Sequence, residues 1–330
     1  MTNPTVSVVM ATYNGEHFLH LQLDSLLAQT YPIYEIIIQD DGSTDRTLDI
    51  AREYAAQHPH IHLYQNEKNQ GWNLNFISAF QRAKGDYIAI SDQDDIWFTH
   101  KIERQMAAIG KKDICFSFRY KDKEYTEHGR VLGAPQNSFE CLLFTSIIPG
   151  HCILARTAFL QSIEEWNPDI PYDWWIAIQA YLHRGVARVD EALNWHRPHV
   201  ESASYLLMSK SWKKAEQATW QPYVFGWAAF RRYQKRKDWQ WFYAYIEQHT
   251  SDTFEVEAHR IAHLMRCPGW KNLFQLCYLT MHLRAKIHQR FAGGKGLKRV
   301  RNAVRGFFYP CMLTYNKNMH FLGKDESSLT

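Results

Sequence analysis

Three acidic side chains fall within four residues at Asp92, Asp94 and Asp95, with Gln93 between them. Carboxylates so close repel one another, and holding them together costs free energy unless a cation or a set of donors compensates. Oxygen-only ligands suit a hard divalent ion such as Mg2+ or Mn2+, which takes one or two carboxylates and completes its shell with substrate phosphate and water. The same tetrad also reads as a solvated acidic turn capping the next helix. Asp40 and Asp41 open an Asp-Asp-Gly-Ser turn. It is either a plain strand-to-helix turn, or one in which Asp40 accepts a hydrogen bond from a base N–H or a ribose hydroxyl. Thr12-Tyr13-Asn14-Gly15 offers an aromatic ring that stacks on a nucleobase or packs beside its own turn. Asp173 precedes Trp174 and Trp175. A partly desolvated carboxylate there has the raised basicity of a general base, and the alternative is a helix N-cap beside core tryptophans. Trp195-His196-Arg197-Pro198-His199 gathers an arginine and two histidines. They suit phosphate neutralisation or a basic surface loop.

The elements that must carry these residues alternate. Val6 to Ala11 is a short apolar run, the mark of a buried parallel strand. Phe18, Leu19, Leu23, Leu26 and Leu27 then share one helical face, which Tyr31-Pro32 stops. Residues 35–39 give a second strand, and Thr44 is placed to cap the helix whose inner face is Leu48, Ala51 and Ala55. Residues 61–64 form a third strand, Leu74, Ile77 and Phe80 mark a third helix, and residues 87–90 lead directly into the acidic tetrad. Strands alternating with helices predict a doubly wound, mainly parallel α/β sheet, in which ligands bind at the carboxyl ends of the strands. The polar clusters at 12–14, 40–43 and 92–95 all fall at such ends. From about 113 to 198 the pattern is less regular, and past about 205 it turns helical, aromatic and basic. This predicts a domain over 1–204, with a nucleotide half at about 1–112 and an acceptor half at about 113–204. A helical region follows over 205–330.

A chain of 330 residues with a formal charge of +4 has enough material for a sizeable core and too little net charge to argue for nucleic acid. Six cysteines without CxxC spacing predict reduced thiols in a cytoplasmic setting, neither a zinc site nor a disulfide framework. The N-terminus lacks the basic-then-apolar pattern of a signal peptide. The nearly uncharged stretch at 272–283 is shorter than the about 20 residues a bilayer needs, so any membrane association is expected to be peripheral.

Together the motifs resemble the inverting glycosyltransferase family 2 of GT-A fold, in its bacterial rhamnosyltransferase-like or surface-polysaccharide subgroup. The matching stretches are SVVMATYNGEHFLHLQLDSLLAQTY, EIIIQDDGSTDRTLDIA, NQGWNLNFISAF, GDYIAISDQDDIW and, more loosely, PYDWWIAIQAYLHRGVARVDEALNWHRPH, covering roughly residues 5–200. Their combination in this order is specific, although each alone is not. The resemblance implies an enzyme that moves a sugar from a UDP- or dTDP-sugar to an acceptor hydroxyl, with Mg2+ or Mn2+ as cofactor. Thr12, Tyr13, Asp40 and the neighbouring Asp41 would hold the nucleoside, and Asn75 would line the donor site. Asp92 and Asp94 stand at the DxD positions, with Asp94 as the direct metal ligand and Asp92 nearer the ribose or a metal-bound water. Asp95 would support them. Asp173 stands at the catalytic base. Arg197 and His199 fall in the element near the diphosphate. Tyr172 stands where the family often has His or Glu, and His196 where it usually has Tyr.

Between Met281 and Pro310 every charged side chain is Lys or Arg, and Leu297, Val300 and Val304 interleave at helical spacing. Such a segment either docks on an anionic membrane surface, where a lipid-linked glycan acceptor would sit, or is an ordinary solvated helix. No nucleic-acid motif accompanies the charge. Two other classes compete with a glycosyltransferase. A sugar nucleotidyltransferase needs a Gly-rich, lysine-bearing loop after the first strand, where this chain has Tyr13 to His17. A non-catalytic sugar-nucleotide or polysaccharide-binding protein has no need of Asp92, Asp94 and Asp173.

Overall fold

The computed structural model describes residues 3–122, 124–126, 128–133, 138–198, 220–288 and 292–316. Its elements in chain order are β1 (Val6–Thr12), α1 (Leu19–Leu27), β2 (Glu35–Asp40), α2 (Thr47–Gln57), β3 (Ile61–Gln65), α3 (Trp72–Phe80), β4 (Tyr87–Ser91), β5 (Ile96–Trp97) and α4 (Lys101–Ile109). Then come β6 (Ile114–Lys121), β7 (Val131–Leu132), α5 (Phe139–Leu142), a 3-10 turn (Gly150–Cys152), β8 (Ile153–Arg156), α6 (Thr157–Gln161), α7 (Tyr172–Leu182) and β9 (Val186–His196). The last third holds α8 (Gln221–Tyr233), α9 (Lys237–His249), α10 (Val256–Arg266), α11 (Trp270–His282), α12 (Arg284–Ile287), α13 (Leu297–Phe307) and α14 (Tyr309–Tyr315).

The chain divides into two compact units. The first comprises Met1–Ala134, Ile148–Pro168 and Trp175–Ala203; the second comprises Pro135–Ile147, Asp169–Trp174 and Ser204–Thr330. The second unit thus takes in two segments from before residue 204. The first segment's Leu142, Leu143 and Phe144 are fully buried, and the Leu143 carbonyl accepts from the Tyr243 hydroxyl at 2.6 Å. The proposed boundary at 204/205 lies outside the described residues.

The first unit is an α/β layer built on one sheet, in the order β3-β2-β1-β4-β8-β6-β9-β5, with β7 paired to β6. Its first four strands are parallel, as the alternating pattern requires. Every residue of β2 is buried, and so is all of β1 except Ala11, because both faces of these strands are covered. Leu19, Leu23 and Leu26 of α1 and Ile50 of α2 pack onto Val8, Met10, Ile36 and Ile38. The sheet is mixed beyond β4. β8 lies antiparallel between β4 and β6, while β9 runs parallel to β6 and antiparallel to β5. The alternation stops being readable near residue 113 because the strands no longer follow one another through single helices.

One local expectation is replaced. Thr44 does not cap α2, since the helix starts at Thr47 and the Thr44 hydroxyl turns to Asn14 Oδ1 at 3.4 Å. Asp45 takes that role, accepting from the Thr47 N–H at 2.9 Å and from the Thr47 hydroxyl. Those bonds outweigh the effect of burial and hold the Asp45 carboxyl below its ordinary pKa.

The second unit is helical in its described residues. Trp239, Phe242, Tyr243 and Ile246 of α9 and Ile261 and Ala262 of α10 are fully buried, and the Trp239 indole donates to the Met265 carbonyl at 2.8 Å. Among the described residues no helix is long and apolar enough to cross a membrane.

Candidate active site

In a parallel sheet the register decides which loops meet. Thr12 pairs with Asp40, Asp40 with Gln65, and Met10 with Ser91. The carboxyl ends of β1, β2 and β4 therefore lie side by side on one rim. Their loops are stitched together. The Tyr13 N–H donates to Gln93 Oε1 at 3.0 Å, and Gln93 Nε2 donates to the Tyr13 carbonyl at 3.0 Å. The Asn14 N–H donates to Ser43 Oγ at 3.0 Å, and the Thr44 N–H to Asn14 Oδ1 at 2.8 Å. Asn14 holds a left-handed φ of +46°, which asparagine tolerates better than most residues. Gly15 leaves room for Gln93, because a Cβ there would come within 2.3 Å of Gln93 Oε1.

Asp40 is fully buried and works inside this loop set. Its oxygens accept from Thr12 Oγ1 at 3.0 Å, the Gly42 and Ser43 N–H groups at 3.0 and 2.9 Å, and Ser43 Oγ at 2.5 Å. A carboxylate offers about four acceptor positions, so Asp40 meets a nucleoside only if the Thr12 or Ser43 hydroxyl turns away. Asp41 accepts from Asn66, Gln70 and Gly71, each at 2.8 Å, and shapes the turn before α3. Asn75, also buried, links Asn66 to the Gln39 carbonyl at 2.8 Å on both sides. Tyr13 is the outward member of the group, with 46% of its surface exposed.

The tetrad splits by burial. Asp92 keeps a partly exposed side chain, Asp94 is mostly buried, and Asp95 is sealed. β9 explains Asp95: the β5–β9 pairing of Trp97 with Asn194 and Ile96 with Trp195 brings the end of β9 beside the acidic loop. Asn194 Nδ2 donates to Asp95 Oδ2 at 2.8 Å, and His196 Nδ1 donates to Asp95 Oδ1 at 3.0 Å. His151, in the 3-10 turn before β8, places Nδ1 at 2.7 Å from Asp92 Oδ2 and 3.6 Å from Asp95 Oδ2. Burial holds the His151 pKa well below its ordinary value, against the pull of Asp95. Ligand atoms of Asp95, His151 and His196 lie within 4.8 Å of one another, a geometry that can hold a metal. Lys101 reaches the same place, and its burial lowers its pKa against the pull of Asp95 and Asp92. It is fully buried, and its ammonium donates to the His151 carbonyl at 2.8 Å and lies 4.5 Å from the centre of the Trp97 ring.

Arg197 is held by cation–π contacts to Phe18 and Trp195, at 5.0 and 4.6 Å, beside the loop after β1. His199 lies outside the described residues. Asp173 is half-buried in the first turn of α7, and its Oδ1 accepts from the Trp174 N–H at 2.7 Å. Both neighbouring tryptophans are core residues: the Trp174 indole donates to Leu142 and the Trp175 indole to Glu165.

Sequence reasoning missed Gln93 as a bridge, and missed His151, Asn194 and Lys101 altogether. Lys101 left a faint trace, a charged residue four positions before Gln105 on the buried face of α4. His151 left none, being a single histidine in an apolar stretch.

The parallel half of the sheet thus carries its acidic and aromatic loops on one carboxyl rim, the place where open α/β sheets bind their ligands. The Glycosyl transferase family 2 profile matches residues 7–165. The glucosyltransferase WfaP of Escherichia coli, whose full description is UDP-Glc:alpha-D-GlcNAc-diphosphoundecaprenol beta-1,3-glucosyltransferase, is 30% identical over 204 residues, 60% of this chain and 79% of that protein. The putative teichuronic acid biosynthesis glycosyltransferase TuaG of Bacillus subtilis (strain 168) is 38% identical over 120 residues, 36% of this chain and 48% of TuaG. The chain belongs to glycosyltransferase family 2. It spans about half the length of several of these relatives, 48% for TuaG and 53% for WfgD of Escherichia coli. The fold is that of the GT-A transferases. TarS 1–349 of S. aureus in complex with UDP-GlcNAc aligns with a TM-score of 0.51 at 18% identity, over 96% of this chain and 92% of that one. The mannosyltransferase PcManGT of Pyrobaculum calidifontis, solved with GDP-Man and Mn2+, aligns with a TM-score of 0.53 at 16% identity, over 96% and 88%.

Proposed function

We propose that this protein is an inverting, metal-dependent glycosyltransferase that transfers a sugar from a UDP- or dTDP-sugar to an acceptor hydroxyl, in the assembly of a bacterial surface polysaccharide. The observation that carries the reading is the joining of the β1, β2 and β4 loops through Gln93, Asn14 and Ser43, which sets Tyr13 and the Asp92–Asp94 pair on one rim. The alignments with chains solved with UDP-GlcNAc and with GDP-Man and Mn2+ support a nucleotide-sugar donor.

The carboxylates of Asp92 and Asp94 fit a hard divalent ion by donor chemistry, with Asp94 as the direct ligand. Mg2+ or Mn2+, when bound, neutralises charge on the departing diphosphate. The chain's own groups do the rest. Tyr13 offers its exposed ring to the base, Thr12 stands at the adjoining strand end, and Asp40, Asp41 and Asn75 hold the floor of the nucleoside pocket. Arg197 and His199 add positive charge toward the diphosphate. The Asp173 carboxylate takes the proton of the acceptor hydroxyl as that oxygen bonds to the anomeric carbon. The bond from that carbon to the diphosphate oxygen breaks, the nucleoside diphosphate leaves, and one in-line displacement inverts the centre. General-base assistance of this kind is worth about 10²–10⁴-fold.

A lipid-linked glycan is the acceptor class we favour, in line with the diphosphoundecaprenol acceptor in the description of WfaP. A docking surface for its membrane is available in α13, where Leu297 and Val300 are 89% and 61% exposed among Lys298, Arg299, Arg301 and Arg305. Trp270 and Phe274 of α11 are each 59% exposed, and the Phe274 ring lies 5.5 Å from that of Phe307 on α13. Peripheral attachment to the cytoplasmic leaflet follows from this reading.

The test is turnover of purified protein on a panel of sugar nucleotides with Mn2+ and a glycan-diphosphate-lipid acceptor, with the product anomer read by NMR. Asp173→Asn is expected to keep nucleotide-dependent thermal stabilisation and lose transfer. Unaltered turnover by that variant rules Asp173 out as the base, and full activity in EDTA rules out the metal.

A further inference from the structure

A buried polar cluster behind the acidic rim has no part in the reaction as proposed. His151 is clamped at every point but one. Lys101 Nζ binds its carbonyl at 2.8 Å, and the His196 ring stacks on its own with centres 4.9 Å apart and planes 20° apart. Its Nδ1 lies 2.7 Å from Asp92 Oδ2. An ionised carboxylate only accepts, so Nδ1 carries a proton and donates it to Asp92. The His151 Nε2 is buried with no hydrogen-bond partner.

The rest of the cluster fixes that orientation. Asp95 accepts from Asn194 and His196 and lies 3.6 Å from His151 Nδ1. Lys101 Nζ approaches Asn194 Oδ1 at 3.5 Å. A second dication among Asp95, His151 and His196 would have to displace these bonds, so we read the cluster as a hydrogen-bonded brace. Side chains that hold a metal ligand by its outer oxygen set the ligand's direction, and their loss typically costs 10–100-fold in metal affinity.

We infer that His151, locked by Lys101, Asn194, Asp95 and His196, is a positioning residue that aims the Asp92 carboxylate at the diphosphate-bound cation. This rests on the reading of Asp92 and Asp94 as the cation's carboxylates. The experiment measures Mn2+ affinity by following thermal stabilisation of the full chain in a Mn2+ titration at saturating UDP, with no turnover required. His151→Leu is expected to weaken Mn2+ by about 10–100-fold while keeping its metal-free melting temperature near that of the parent. His151→Asn, whose Nδ2 can stand near the histidine Nδ1 and donate to Asp92, is expected to restore affinity to within a few-fold of the parent. Asp94→Ala is expected to abolish the response. A folded His151→Leu protein that binds Mn2+ as the parent does overturns the inference, and so does a folded His151→Asn protein no better than His151→Leu. A parent chain that shows no Mn2+ response, or an Asp94→Ala chain that keeps a full one, overturns the metal reading itself and this inference with it.

Discussion

At the scale of single residues, the site depends on one side chain that carries no charge. Gln93 joins the acidic loop to the loop after β1 through two hydrogen bonds, and Gly15 is the residue that makes space for it. Each such bond contributes about 0.5–1.5 kcal/mol net. Gln93→Ala is therefore expected to weaken UDP binding by roughly tenfold in calorimetric titration. Gly15→Ala should produce a similar loss, because its methyl group displaces the same amide. The double variant should lose little more than either single one, since both remove one interaction. Fully additive losses would mean that the two residues act separately. Asp92 and Asp94 were legible from composition and spacing, because clustered charge at a strand end demands an explanation. Gln93, His151 and Lys101 were not, because their meaning lies in partners 80, 59 and 50 positions away.

At the scale of elements, α9 and α10 of the helical unit are joined by a carboxylate clamp. Glu247 accepts from His263 Nδ1 and Arg266 Nε, each at 2.8 Å. Burial works to raise the Glu247 carboxyl, but these two bonds outweigh it and hold it below its ordinary value of 4.5. A lowered carboxylate adds stability above its unfolded pKa and loses it as pH falls through the folded one. The clamp should thus be intact at neutral pH and weaken as the pH falls through that lowered value. Exposed and half-exposed pairs are worth up to about 1 kcal/mol. Glu247→Gln is expected to lower denaturant stability by up to that amount at pH 7 and by progressively less as the pH is lowered. A cost that does not change with pH would assign it to packing. The basic helix α13 makes a second prediction. The chain is expected to float with vesicles containing anionic phosphatidylglycerol and to sediment with neutral phosphatidylcholine. At about 1 kcal/mol per basic residue near the surface, Arg299→Glu with Arg301→Glu should release it. Equal flotation of that variant would show that α13 is an ordinary solvated helix.

At the scale of the whole molecule, ligand binding must register as stability. A sugar nucleotide at a hundred times its Kd raises unfolding free energy by about 2.7 kcal/mol. The matched nucleotide with Mn2+ is therefore expected to raise the melting temperature by several degrees, and EDTA to remove most of the rise. An unchanged melting temperature across UDP-, dTDP- and GDP-sugars would argue for a different ligand class. The sequence by itself determined the parallel β1–β4 core, the three polar clusters at its strand ends and the helical, basic character of the last third. Local hydrophobic period and turn chemistry act between near neighbours, so they are readable along the chain. Tertiary structure alone decided that β8 runs antiparallel between β4 and β6, that residues 139–144 join the helical unit, and that β9 returns to put Asn194 and His196 against Asp95. Those outcomes turn on which distant strand offers a free edge and on where a buried charge finds its donors, and neither is a property of any local stretch of residues.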